Sequence, residues 1–210
     1  MRTTTKLAAL AAAVALVAGA GIAGDEKGKA ALEIGAKAPM ADAKMKGVDG
    51  KEVAIKDVMG AKGTLVVFTC NACPYAKGWE SRIVELGNAY SAKGVGVIAI
   101  NANDPKVVAD DGYDQMVTRA KERGMKFPYV VDSTSEVAKA FGAARTPEVF
   151  LFDGKGTLVY HGAVDDNVES AEKVTKSYLK DALDSVVAGK EVSVKETKAV
   201  GCGIKWHQQA

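Results

Sequence analysis

Four apolar residues in a row, Leu65-Val66-Val67-Phe68, run within two positions into Cys70-Asn71-Ala72-Cys73 and Pro74. A run apolar at every position suits a strand buried on both faces, as in a parallel sheet. Beyond the cysteines, Trp79, Ile83, Leu86 and Tyr90 recur at spacings of four, three and four, which places them on one face of a helix. The chain is thereby constrained to a strand-to-helix unit with a Cys-x-x-Cys at the junction. Two cysteines three positions apart in a first helical turn close a disulfide locally. The helix N-terminus adds unpaired N–H groups and about half a positive charge, which favours a thiolate. Cys70 is expected to be the more exposed and acidic of the two. It would attack a substrate disulfide, leaving Cys73 to resolve the mixed disulfide. Pro74 suits the same turn, where a missing backbone donor is tolerated.

The flanking pattern extends this unit. Short extended segments at 43–46 and 53–55 flank Val48-Asp49-Gly50-Lys51, and Asp-Gly between such runs signals a hairpin. Residues 95–100 read as a second strand, reached after a helix and so parallel to the first. A polar loop over 101–112 precedes a helix at 113–123 and a strand at 129–131. A short helix at 136–141 takes Ser133 or Ser135 as its cap. Strands at 149–152 and 157–160 are joined by Asp153-Gly154-Lys155-Gly156. A last helix over 170–187 buries Val174, Tyr178, Leu179, Leu183 and Val186, and 189–210 has no clear periodicity. A mixed α/β sheet with helices on both faces accounts for this order, and neither a repeat nor a linker divides it.

The first residues stand apart. Arg2 and Lys6 precede an uninterrupted Ala/Leu/Val run at 7–17, and small residues follow up to Ala23, before the first acid, Asp25. This is the pattern of a secretory signal peptide, and the run is shorter than a membrane span requires. No cysteine follows the apolar run, which argues against a lipoprotein anchor. Cleavage after Ala23 removes Arg2 and Lys6 and leaves 26 basic against 26 acidic side chains. A neutral mature chain lacks the basic stripe that nucleic acid requires. The expected organisation is a signal peptide at 1–23, a tail at 24–33, one domain at 34–188 and a C-terminal tail at 189–210 docked on it. Periplasmic or otherwise secreted location follows, with no stable membrane insertion once the signal is removed. In an oxidising periplasm, closely spaced cysteines cycle through a disulfide.

Downstream, Arg145-Thr146-Pro147-Glu148 opens the strand Val149-Phe150-Leu151-Phe152. A cis Thr146-Pro147 bond would expose the Thr146 backbone beside the cysteines, where an extended substrate peptide can pair. Read blandly, Pro147 marks only a sheet edge. Three cysteines are too few for a disulfide scaffold, and their odd number leaves at least one without a partner in the chain. Cys202 is either a third redox thiol or a small packing residue in a tail anchored by Ile204 and Trp206, and packing is favoured. Cys202 with His207 would complete a zinc site, but no second Cys-x-x-Cys accompanies the first. No metal and no cofactor beyond the Cys70-Cys73 disulfide is expected.

The ordered set of motifs resembles the thioredoxin-like superfamily. Within it, the chain is similar to the redoxin or peroxiredoxin-like branch of the alkyl hydroperoxide reductase and thiol-specific antioxidant group. The resemblance covers about residues 34–206. It is carried by Ile34-Gly35-Ala36-Lys37-Ala38-Pro39, Phe68-Thr69-Cys70-Asn71-Ala72-Cys73-Pro74-Tyr75, Ile100-Asn101-Ala102-Asn103-Asp104-Pro105, Phe127-Pro128-Tyr129, Thr146-Pro147, Gly162-Ala163-Val164-Asp165-Asp166-Asn167 and Gly201-Cys202-Gly203-Ile204-Lys205-Trp206. It implies a thioredoxin-like fold with an N-terminal hairpin extension, a redox-active Cys70-Cys73 pair and a cis-Pro147. The departures matter as much. True peroxiredoxins place Pro-x-x-x-Thr-x-x-Cys around the peroxide-reactive thiol. Aligning that thiol to Cys73 puts Cys70 and Val66 at those positions, and aligning it to Cys70 puts Val67 and Gly63 there. Thioredoxin has a buried acid six positions before its first cysteine, where this chain has Thr64, so Asp104 or water would take the proton. Arg145 stands where many relatives carry Cys, either favouring a thiolate and steering acidic partners or remaining a solvated charge.

Thiol-disulfide oxidoreduction is therefore the leading function, with protein dithiols or disulfides as substrates and a further redox partner to reset the pair. A thiol peroxidase and a copper or zinc carrier are the alternatives. Neither His161 nor His207 is assigned a catalytic role.

Overall fold

The structure, a computed structural model, describes residues 30–208. The signal-peptide segment at 1–23 and most of the following tail lie outside the described residues. Thirteen elements follow in order: β1 (Met45–Gly47), β2 (Glu52–Val53), β3 (Gly63–Phe68), α1 (Pro74–Ser91), β4 (Val95–Asn101), α2 (Tyr113–Glu122), β5 (Tyr129–Val131), α3 (Glu136–Phe141), β6 (Arg145–Thr146), β7 (Glu148–Asp153), β8 (Leu158–Gly162), α4 (Tyr178–Val187) and β9 (Cys202–Gly203).

Seven strands form one mixed sheet in the order β2-β1-β5-β4-β3-β7-β8, and β6 pairs with β9 in a separate ribbon. The apolar run lies in β3, inside the sheet between β4 and β7. It pairs in parallel with β4 and antiparallel with β7, so every residue of β3 is buried. Alternation along the strand divides the core into two layers. Leu65 and Val67 face α1, α2 and α4 through Trp79, Ile83, Met116 and Leu183. Val66 and Phe68 face α3 and the chain ends through Ile55, Phe141, Phe150 and Ile204. Phe68 and Phe150 each lie edge-on to Phe141. The N-terminal hairpin, β1 with β2, joins the sheet through antiparallel pairing of β1 with β5. Ile55 opens a 3-10 turn instead of ending a strand.

Three local expectations are corrected. The last helix begins at Tyr178, because Asp166 accepts hydrogen bonds from the Thr175 and Lys176 N–H groups and holds the preceding chain extended. Val174 therefore lies off the helix. Ser135 stands at the start of α3 but in a left-handed conformation, with its hydroxyl donating to the Ala102 carbonyl and no cap bond. Asp132 captures a helix N–H instead, that of Ala138. The polar loop after β4 is only partly solvated: Asn103, Asp104 and Asp111 are buried, while Pro105, Lys106, Ala109 and Asp110 are exposed. Where those side chains point determines the site.

Candidate active site

Cys70 follows the end of β3, in a short turn that closes on Cys73. Cys73 is the N-cap of α1 and Pro74 its first residue. The cysteines thus flank a pre-helical turn and do not share the first helical turn, and Cys73 is the one adjacent to the helix N-terminus. The turn has two buried N–H groups that no ladder satisfies, and an unpaired buried donor is costly. Asp111 satisfies both: its Oδ1 accepts from Asn71 N at 2.6 Å and Ala72 N at 3.0 Å. Its Oδ2 accepts from Asn103 Nδ2 at 2.8 Å. The Asn71 side chain is fixed as well, donating to the Asp110 carbonyl and accepting from the Tyr129 hydroxyl. The dipeptide between the cysteines is held as rigidly as a core element.

The Thr146-Pro147 bond is cis, and Thr146 faces both sulfurs. Its Oγ1 lies 3.3 Å from Cys70 Sγ, and its carbonyl oxygen accepts from Cys73 Sγ at 3.1 Å. Glu148 braces this corner. Its Oε2 accepts from the N–H groups of Ala144 and Arg145, and its Oε1 pairs with His161 Nε2 at 2.7 Å. His161 is a supporting residue, stacked on Phe150.

Cys70, Cys73 and Cys202 are all free thiols. Cys70 and Cys73 are equally buried, each 4% exposed, so the expectation that Cys70 would be the more accessible is not met. Nor is it the more acidic. The Cys73 thiol is pulled down to about 4, chiefly by a hydrogen bond from the Cys70 thiol. Burial opposes this, while the Cys202 thiol and backbone N–H groups of Ala76 and Cys202 assist it. Cys70 is pushed up by that same hydrogen bond, by burial and by the charge of Asp111. The contact from Cys73 to the Thr146 carbonyl serves the protonated sulfur, because a carbonyl has no proton to give an anion.

Proton uptake follows from this. Reducing a Cys70-Cys73 disulfide takes up two electrons but only one proton while Cys73 stays ionised. The midpoint potential is expected to fall by about 30 mV per pH unit from about pH 5 to 8, about half the slope for uptake of two protons. Thiol trapping in glutathione buffers across that range measures it, and the full slope throughout would mean that Cys73 is protonated. Stability of the reduced protein carries the matching sign. The folded Cys73 pKa lies below its ordinary value of 9.0, so this contribution is complete above that value and is lost as pH falls toward about 4.

Other expected participants lie elsewhere. Asp104 accepts from the Lys106 N–H at 2.8 Å and approaches His207, so Asp111 is the acid that bears on the cysteines. Arg145 is exposed and donates from Nη1 to the Gly201 carbonyl at 3.0 Å. Its cation is engaged with the tail. Cys202 lies across from Thr146 in the β6/β9 ribbon and packs on the cysteine pair. The packing reading of Cys202 captures its anchors, Ile204 and Trp206, and misses this neighbourhood. Among the described residues no group of three or more His, Cys, Asp or Glu is arranged to hold a metal ion. No described helix is long and apolar enough to cross a membrane.

Comparison with known proteins agrees with this fold. The profile of the AhpC/TSA family matches residues 34–161. The thiol-disulfide oxidoreductase ResA of Geobacillus thermodenitrificans is 30% identical over 131 residues, 62% of this chain and 69% of its own. A conserved protein of Geobacillus kaustophilus, solved by crystallography, superposes with a TM-score of 0.79 at 38% identity, covering 85% of this chain and 94% of that one. A thioredoxin-like protein solved in its oxidised form shares the fold at a TM-score of 0.59 and 22% identity, covering 74% of this chain and 98% of that one.

Proposed function

Since the chain belongs to the AhpC/TSA family, we propose that it is a thiol-disulfide oxidoreductase that cycles Cys70 and Cys73 between dithiol and disulfide. The observation that carries the reading is a pair of buried cysteine sulfurs facing Thr146, whose Oγ1 lies 3.3 Å from Cys70 Sγ and whose carbonyl oxygen lies 3.1 Å from Cys73 Sγ. Relatives named thiol-disulfide oxidoreductase support the same class. The lowered Cys73 thiol, at the N-cap of α1, supports Cys73 as the attacking sulfur in place of the Cys70 expected from the sequence. The Cys73 thiolate attacks one sulfur of a substrate disulfide, the substrate S–S bond breaks, and the departing thiolate takes a proton from solvent. Cys70 then gives up its proton and attacks Cys73 in the mixed disulfide. A Cys70-Cys73 bond forms, and the second substrate thiol leaves. The substrate has gained two electrons and the pair has lost them; run backwards, the same steps oxidise a dithiol.

Substrates are protein dithiols or disulfides, and a separate redox partner resets the pair. The disulfide itself is the only redox group required. Absence of the peroxide-activating Pro and Thr favours disulfide over peroxide as the oxidant. The positive start and short apolar run of residues 1–23 support an exported site of action, the periplasm or beyond.

The test is peptide mapping of protein equilibrated in glutathione buffers, coupled to reduction of a disulfide-bonded protein such as insulin. A reversible Cys70-Cys73 link and measurable insulin reduction are expected. Two thiols that stay free under oxidising buffer, with no reduction of insulin, would overturn the proposal.

A further inference from the structure

The C-terminal segment brings a third sulfur to the pair. β9 runs antiparallel to β6, with Cys202 opposite Thr146 and Gly203 opposite Arg145. The segment is built into the fold. Ile204 N–H donates to the Ala144 carbonyl at 3.0 Å, Lys205 N–H to Asn103 Oδ1 at 2.8 Å and His207 N–H to Ser135 Oγ at 3.0 Å. Ile204 and Trp206 pack against the α3 layer. Contact with the cis-proline corner is so close at Gly201 that a Cβ there would collide with the Thr146 carbonyl and the Pro147 nitrogen. The free edge of Thr146 is the one to which an extended peptide would add as a strand, and here the chain's own tail occupies it.

Its sulfur is correspondingly placed. Cys202 packs against the cluster of Cys70, Cys73 and Ala76, with Cys73 the sulfur that bears on its thiol. It is half-buried where the other two are buried. Cys73 is therefore the middle sulfur of three, with Cys70 on one side and Cys202 on the other.

We propose that Gly201-Cys202-Gly203 is a resident substrate strand and that Cys202 is a third redox thiol exchanging with Cys73. The inference rests on the Cys70-Cys73 chemistry above and deepens it. Starting from the Cys70-Cys73 disulfide, Cys202 loses its proton and attacks the Cys73 sulfur. The Cys70-Cys73 bond breaks, a Cys73-Cys202 bond forms, and the proton ends on Cys70. No electrons enter or leave, and the disulfide has moved to the half-exposed side of the site. The site also has a stated preference: a cysteine in extended chain preceded by glycine, since position 201 leaves no room for a side chain.

Peptide mapping without reductant tests this. In Cys70→Ser, equilibrated in oxidising glutathione buffer, the main oxidised form is expected to carry a Cys73-Cys202 link. Cys70→Ala repeats the test with an apolar residue should Ser disturb the buried site. Adding Gly201→Ala is expected to reduce the linked fraction at least tenfold by lifting β9 from Thr146. Glutathione on Cys73 with Cys202 unlinked in both Cys70 variants would overturn the inference, as would a linked fraction indifferent to Gly201→Ala. The wild-type map separates the two levels. A Cys70-Cys73 link in wild type, with no Cys73-Cys202 link in the variants, removes the tail chemistry alone. Absence of the Cys70-Cys73 link in wild type removes the underlying reading.

Discussion

Cys73→Ser is expected to reduce insulin-disulfide turnover by on the order of 10³ or more, the scale of losing a covalent nucleophile. The loss is larger than for Cys70→Ser because of where the three sulfurs lie. Removing Cys73 leaves Cys70 and Cys202 on either side of a hydroxyl that forms no disulfide. Removing Cys70 leaves Cys73 with Cys202 beside it. Nucleophilicity alone does not produce the asymmetry. A Cys70 thiolate of higher pKa is scarcer at neutral pH, and its greater intrinsic reactivity recovers only about half of that loss on a logarithmic scale. What Cys73→Ser loses is resolution: a mixed disulfide formed on Cys70 keeps only Cys202, across the vacated position, to release it. Steady-state turnover of both variants, with the mixed disulfide quantified by mass spectrometry, measures the difference. Equal residual rates would show that the sulfurs are not arranged around Cys73.

Asp111→Ala is expected to cost about 2–5 kcal/mol of stability, because two buried N–H groups of the cysteine turn and the Asn103 amide lose their acceptor together. For a domain of this size that lowers the thermal midpoint by about 5–15 °C. Exchange activity falls beyond what stability explains, since the turn that sets the distance between the sulfurs is no longer held. Asp111→Asn separates geometry from charge. Its carbonyl still accepts from Asn71 and Ala72, so part of the stability returns although its amide meets Asn103 Nδ2 donor to donor, while the charge that pushes Cys70 up is gone. Thermal unfolding followed alongside the pH dependence of Cys70 alkylation distinguishes the two variants. An Asp111→Ala protein as stable as wild type would mean that the turn finds its donors other partners.

Much of this site is legible in the sequence because the strongest local signals carry it. The all-apolar run is an inner strand of the sheet, and the spacing of Trp79, Ile83 and Tyr90 is the buried face of α1. These are features in which neighbouring residues determine one another's environment. The remainder depends on contacts distant in sequence. Asp111 looks like any acid of a solvated loop, and only the fold brings it 40 positions back to Asn71. The available signal was the density of Asn and Asp between Asn101 and Asp111, more than a surface connection needs, beside a motif with N–H groups to satisfy. The tail is legible as docked through Ile204 and Trp206, but its strand pairing is not. A two-residue strand has no periodicity, and Cys202 acquires its meaning from Thr146, not from its neighbours. The relative acidity of the cysteines depends on a hydrogen bond between their own side chains, which pattern does not resolve.

Asn103 links these two parts of the molecule through a single amide group. Its Nδ2 holds the carboxylate that orients the cysteine turn, while its Oδ1 accepts from Lys205 in the tail. Peeling the tail away leaves that amide anchored on one side only, and the carboxylate it steadies gains freedom with it. Whether the C-terminus is seated or lifted is thereby transmitted to the backbone between the cysteines. One side chain thus ties the seat of the C-terminal strand to the turn that carries the cysteines.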